Sequence, residues 1–406
     1  MSKLIQKYNP NLAHFIILIG LSIIIPSGFY FLEGLLISLL FFNWLFLWAK
    51  NKVIFKTNKT FFLLFGLFTV YLFGLITTSD LSEQLEATTK HISYVIIPLS
   101  LIGFKLTENQ IQTIKKAFIW STIFFVTVAV IYGFCSYFST GKSTIYVNDS
   151  VQSKFMYYGL TRVFDSWHPT YVSFFCNLSL VFVHQVYYKS KAFQLSIITV
   201  IVLLTGVFLL NSFIGILTTT CLILFFLLSL VQSLRLKATI TTLVVLFSIL
   251  FYYLNPFGLS KIEKLKQTEI TITDLKPERN ILNLRLAKWQ TSLELFKAYP
   301  LLGVSAGGYK KVVVERYKQN GFDYAAQHQY AAHNFYIYTL ASSGLIGLLF
   351  FLIALIFPFF KTNDASVFLI IFSLFCLTED MLLRQQGVVA FTYFYVILQT
   401  KKIYDD

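Results

Sequence analysis

Apolar residues in this chain come in long unbroken runs separated by short polar punctuation, rather than alternating or recurring as stripes. Phe29–Trp48, Phe118–Phe138, Phe213–Val231 and Leu340–Phe360 are four such runs. Roughly 20 helical residues cross a hydrocarbon slab of about 30 Å. A lipid-exposed backbone must also satisfy its own hydrogen bonds, so each run predicts a membrane helix. The same reading over the whole chain gives twelve candidate spans, at 11–26, 29–48, 60–78, 91–105, 117–138, 167–187, 193–209, 213–231, 238–254, 333–357, 364–383 and 386–400. Pro26-Ser27-Gly28 turns the first hairpin, and Asn255-Pro256-Phe257-Gly258 closes the ninth span.

Two polar stretches are longer than a hairpin turn, Ser139–Ser166 and Asn255–Ala332. The second reads as two helices with a turn. Leu284, Leu286, Ala287, Leu293, Leu295 and Phe296 space out polar neighbours over Asn283–Ala298, Pro300-Leu301-Leu302-Gly303 breaks the pattern, and Tyr309–Lys318 resumes it. The expected fold is all-α: a polytopic membrane protein with about twelve transmembrane helices and one large helical loop. It divides into 1–254, 255–332 and 333–406.

Composition agrees with that reading. Apolar residues make up 56% of the 406 and charged residues 13%, about half the usual share for a soluble domain. The net charge of +14 adds an orientation. With the N-terminus in the cytoplasm, the loops on that side carry Lys50, Lys52, Lys56 and Lys59; Lys105, Lys115 and Lys116; Lys189 and Lys191; Arg235 and Lys237; Lys361; and Lys401 and Lys402. The other side has little beyond Lys90 and Arg384, so both termini are expected in the cytoplasm. Because the basic residues lie between apolar runs and form no soluble face, a nucleic-acid partner is not expected. Cys135, Cys176, Cys221 and Cys376 lie singly in apolar spans and read as buried thiols. Lys3 and Lys7 precede an apolar stretch that another span follows at once, which makes it a first transmembrane helix rather than a cleaved leader.

Ionisable residues beside a span are costly unless satisfied, and three places on the outer side qualify as candidate chemistry. Arg162 sits in the Tyr158–Tyr171 stretch with His168-Pro169; the alternative is a snorkelling arginine ahead of a helix start. Arg285, with Arg279 and Lys288, presents guanidinium groups suited to clamping a diphosphate, or else a solvated helix face. His333-Asn334 stands where the loop re-enters the membrane, with His328 before it and Tyr336 after it. A histidine there can take a proton from an acceptor hydroxyl, or simply start a helix within a tyrosine belt. Glu379, Asp380 and Arg384 end the eleventh span at a spacing that suits structural pairing. Gly303, Gly307, Gly308, Gly344 and Gly347 read as turn and packing glycines rather than a nucleotide loop. The sequence has no Asp-x-Asp pair, metal-spaced His/Cys cluster, Gly-x-Ser-x-Gly elbow or dinucleotide fingerprint, so neither a metal nor a cofactor is expected.

One set of residues carries a family signal. Arg285-x-x-x-Trp289, Phe296-Lys-Ala-Tyr-Pro300-Leu-Leu-Gly303-Val-Ser-Ala-Gly307-Gly-Tyr309, His333-Asn334-Phe-Tyr336 and Gly344-Leu-Ile-Gly347-Leu follow in that order. Together they resemble the core of the O-antigen ligase/polymerase superfamily, over about 65 residues. The resemblance implies a metal-independent, inverting glycosyl transfer on the periplasmic face of the bacterial inner membrane. The implied donor is an undecaprenyl-diphosphate-linked glycan. The implied acceptor is lipid A–core for a ligase, another lipid-linked repeat for a polymerase, or a hydroxyl side chain for a protein O-glycosyltransferase. By position in the pattern, His333 matches the family's histidine and Arg285 its loop arginine, and Arg162 matches the arginine before the sixth span. His333 then serves as base or acceptor-orienting group, and Arg285, Arg162 and Arg279 hold the diphosphate, with Asn334, His168 and Tyr336 in support.

Two other classes fit parts of the chain. A flippase for the lipid-linked glycan suits twelve spans, but the halves show no internal repeat and the span centres hold few charges. A non-catalytic envelope component leaves the Arg/Arg/His set without a cause.

Overall fold

The computed structural model describes residues 10–53, 59–104, 106–147, 150–164, 166–187, 193–229, 231–254, 281–360 and 363–399. Its helices in chain order are α1 (Pro10–Ile24), α2 (Tyr30–Ala49), α3 (Lys59–Thr77), α4 (Leu81–His91), α5 (Ser93–Leu101), α6 (Glu108–Thr140), α7 (Tyr158–Thr161), α8 (Pro169–Tyr187) and α9 (Phe193–Leu210). After these come α10 (Phe213–Ser229), α11 (Leu234–Leu254), α12 (Ile281–Ala298), α13 (Ala306–Gln319), α14 (Asp323–His328), α15 (Phe335–Ile356), α16 (Asn363–Cys376) and α17 (Gln385–Ile397). Each of the twelve apolar segments coincides with a helix. By length and composition four helices among the described residues can cross a membrane: α2, α3, α6 and α15. The apolar helices at α1, α9, α10 and α16 are shorter.

Two regions depart from the expected pattern. The fourth apolar segment is a nine-residue helix, α5, about 14 Å long at 1.5 Å per residue. The amphipathic α4 precedes it, started by Asp80, whose side chain accepts from Glu83 N. The other departure is a short antiparallel hairpin, β1 (Thr144–Val147) with β2 (Ser150–Ser153), pairing Thr144 with Ser153. Thr, Ile, Tyr and Val in sequence favour an extended strand, a signal too short to stand out among apolar runs.

The core lies around α8 and α17, the most enclosed helices; nearly every side chain from Val388 to Ile397 is buried. Aromatic rings interlock there: Phe118 and Phe394 meet edge-on at 4.7 Å, and Phe372 and Phe391 lie at 4.6 Å. Such edge and tilted pairs are the geometry aromatic quadrupoles prefer. Buried hydroxyls and amides fix the register. Tyr393 donates to Leu18 O (2.6 Å), Gln386 to Ile25 O (3.1 Å), Tyr395 to Ala354 O (2.8 Å) and Trp167 to Ser27 O (2.9 Å). Each satisfies a polar group that would be costly left alone in an apolar interior.

The lobe formed by α12, α13 and α14 packs on α15 and α4. Gln84 of α4 joins the two layers, accepting from Gly307 N at 2.6 Å while donating to Tyr71 O at 2.8 Å. A Cβ on Gly307 would collide with the Gln84 backbone, so this contact requires glycine. The two helices and turn expected between 283 and 318 are therefore present, with α14 added behind them.

Candidate functional site

The site is built where the lobe hands the chain back to α15. Asn334 starts that helix as its N-cap, its side-chain oxygen accepting from Tyr336 N (3.1 Å) and Ile337 N (3.2 Å). His333, one residue earlier, has φ 48°. A non-glycine residue in the left-handed region costs of order 1–3 kcal/mol and persists only where the surroundings impose it. Here they do. Asp380 accepts from His333 N at 2.7 Å through Oδ2 and from Asn334 N at 3.0 Å through Oδ1. From the other direction Trp289 Nε1 donates to Ala332 O at 3.1 Å. The Arg285-x-x-x-Trp289 pattern thus has a structural half: one helical turn beyond the arginine, Trp289 fixes the backbone that carries His333.

The imidazole is aimed as well as anchored. Its Nδ1 lies 3.2 Å from Glu379 Oε1. A carboxylate only accepts, so Nδ1 carries the hydrogen and Nε2 is the bare nitrogen of the neutral ring. The side chain is 30% exposed, against 12% for Glu379, so solvent reaches the histidine more than the carboxylate.

Two cations of α12 belong to the same electrostatic neighbourhood, Lys288 feeling Asp380 and Glu379 and Arg285 acting on Lys288 and Tyr157. Arg285 is half-buried, and Lys288 lies one turn on along the same helix face. Lys288 is only 5% exposed, and its ammonium sits 5.0 Å over the Tyr330 ring. Burial, then the charge of Arg285, lowers its pKa to about 8, with Asp380 and Glu379 pulling the other way. Among the described residues neither cation has a carboxylate within ion-pair distance. Tyr157 completes this side: burial and the charge of Glu379 push its phenol up while Arg285 draws it down, so it lies within electrostatic reach of both.

The remaining candidates divide. His168 is buried, accepting from Thr170 N through Nδ1 at 3.3 Å, which leaves its Nε2–H to donate to Tyr158 Oη at 2.7 Å. It braces the segment that carries Tyr157 and Tyr158. Arg162 caps the end of α7 and is exposed, and among the described residues it makes no hydrogen bond to His333. Tyr336 donates to Ser373 O at 3.2 Å and faces α16. Arg279 lies outside the described residues. The Glu379, Asp380 and Arg384 group, expected to pair within itself, works differently. The helix ends at Cys376, Glu379 and Asp380 turn to His333, and Arg384 lies over the Tyr171 ring at 5.6 Å. What marked Glu379 and Asp380 in the sequence was an acid pair at an apolar segment's end. Its partner stands 46 residues away and no local spacing reveals it.

The comparison with known families falls on this architecture. Residues 198–352 match the family described as O-antigen ligase, a stretch running from α9 through the lobe and past His333 into α15. That stretch is similar to the O-antigen ligase family. This supports its place in the O-antigen ligase superfamily of membrane glycosyltransferases and, with the apolar helices, a bacterial membrane location. The matched stretch contains Arg285, Lys288, His333 and Asn334, whereas Glu379 and Asp380 come from outside it. No curated protein matches the sequence.

Proposed function

We propose that this protein is a metal-independent, inverting glycosyltransferase of the O-antigen ligase type. It moves a glycan from undecaprenyl diphosphate to lipid A–core at the periplasmic face of the inner membrane. The observation that carries this reading is the His333–Glu379 pair with Lys288 within electrostatic reach of Glu379 and Asp380 and Arg285 beside Lys288, neither cation having a carboxylate partner among the described residues. His333 Nε2 takes the proton from the acceptor hydroxyl as its oxygen attacks the anomeric carbon. The bond from that carbon to the phosphate oxygen breaks, and the electron pair leaves with the diphosphate. Glu379 stabilises the imidazolium, and Arg285 and Lys288 stabilise the charge growing on the leaving group. Attack opposite the departing oxygen inverts the anomeric centre.

In this reading all twelve apolar segments span the membrane, both termini are cytoplasmic and the lobe of 255–332 is periplasmic. Arg162 and Arg279 belong to the diphosphate site only if the donor draws them in, since Arg162 is exposed. The test is complementation of a ligase-null and a polymerase-null strain with wild type and His333→Ala, reading lipopolysaccharide ladders. Capped lipid A–core restored by wild type and lost in the variant supports the ligase. Longer chains restored only in the second strain make it a polymerase, and restoration of neither turns the search to a protein acceptor. Full activity of His333→Ala in either strain overturns the site.

A further inference from the structure

The turn that joins α12 to α13 is threaded into a break in a membrane-length helix. At Gly344 the backbone of α15 leaves helical geometry, with φ 65° and ψ −165°. An unbroken helix would bond Leu345 N to Ala341 O. Instead Leu345 N donates to Pro300 O (2.8 Å), Ile346 N to Leu301 O (3.3 Å), and Ala341 O accepts from Val304 N (3.0 Å). Both faces of this junction need glycine. A Cβ on Gly344 would strike the Leu301 carbonyl, and one on Gly303 would strike the backbone at Ser342 and Ser343. The Pro-Leu-Leu-Gly and Gly-Leu-Ile-Gly patterns are therefore two halves of one joint.

The depth of that joint matters. Gly344 lies about 14 Å along α15 from its start, at 1.5 Å per residue. The groups the turn turns outward are apolar: Leu301 is 63% exposed, Tyr299 54% and Leu302 46%. Leu345, whose N–H donates to Pro300 of this turn, and Leu349 one turn further along α15 are exposed as well. Irregular backbone is tolerated at membrane depth only where its polar groups are satisfied by protein, and the exchanged hydrogen bonds supply that condition here.

We propose that the Tyr299–Leu302 turn is a re-entrant element seated among the lipid acyl chains of the leaflet on the lobe's side. The lobe is then anchored in the bilayer as well as resting on it. A nitroxide attached to Leu301→Cys, with Cys135→Ser and Cys221→Ser removing the exposed thiols, reads this directly. The full chain is placed in vesicles of phosphatidylethanolamine and phosphatidylglycerol, with Leu349→Cys as the acyl-chain reference and Lys318→Cys as the aqueous one. Relaxation by oxygen exceeding that by a water-soluble nickel chelate several-fold at Leu301, as at Leu349, supports the insertion. Nickel access at Leu301 equal to that at Lys318 overturns it. Leu302→Cys gives the same reading should the first label disturb folding.

Discussion

Among the described residues two ion pairs stand at apolar helix ends, and they are built to opposite purposes. Lys115 of α6 meets Asp364 in the first turn of α16 at 2.7 Å, and the lysine is almost wholly buried with its ammonium also 5.6 Å from the Phe182 ring. Every charge there is answered by protein, so the pair pins two helices. His333 and Glu379 meet at 3.2 Å beside a backbone held in the left-handed region at His333, and the ring's second nitrogen has no hydrogen bond to protein among the described residues. A closed pair stabilises; an open one has capacity left for a substrate.

The largest expected effect breaks the open pair. His333→Ala lowers glycan transfer by roughly 100-fold or more, the usual worth of a general base. Protein level and insertion, read by membrane immunoblot, stay unchanged. Glu379→Gln lowers transfer less, since the ring stays in place while its imidazolium loses the countercharge. Equal transfer by both variants and wild type would remove the base from this site.

Next comes the closed pair, where the two partners are unequal. Asp364→Asn strands a buried ammonium and costs about 3 kcal/mol of stability in a detergent-denaturation series. Lys115→Met leaves an acid that is 42% exposed and hydrated, so the change stays within about 1 kcal/mol. Neither alters the donor KM. A matching loss from both substitutions would contradict the asymmetry.

The smallest and sharpest test concerns Lys288. The folded protein releases this proton near pH 8, whereas the ordinary lysine value is 10.5. Between those values the unfolded chain binds more protons, so this group makes stability rise with pH across the window; below about 8 its full cost is present. Donor binding moves the other way, weakening as the ammonium is lost above about pH 8. Lys288→Arg keeps its charge and abolishes that alkaline rise in donor KM, while Lys288→Met raises the KM by about tenfold at pH 7. An unchanged alkaline limb in Lys288→Arg would assign it to another group.

Much of this was legible from local pattern. Runs of apolar residues announced the helices, and the Asn283–Ala298 and Tyr309–Lys318 spacings announced α12 and α13 within a few residues. His333 and Arg285 stood out because ionisable groups at such boundaries are rare. The β-hairpin, the helix α4 ahead of a fourth segment shortened to α5, and the joint between Gly303 and Gly344 were not legible. Each depends on what another part of the chain offers as a hydrogen-bond partner.

The sequence by itself determined that the chain is helical and membrane-bound and which residues were candidates for chemistry. Hydropathy and helix capping act over a turn or two of chain and are written where they act. Only the tertiary structure decided which candidates meet. It joined His333 to Glu379 and Asp380, buried Lys288 within their electrostatic reach, left Arg162 exposed and gave Tyr336 to α16. Those choices follow from direction and distance between side chains far apart in sequence, and spacing along the chain carries neither.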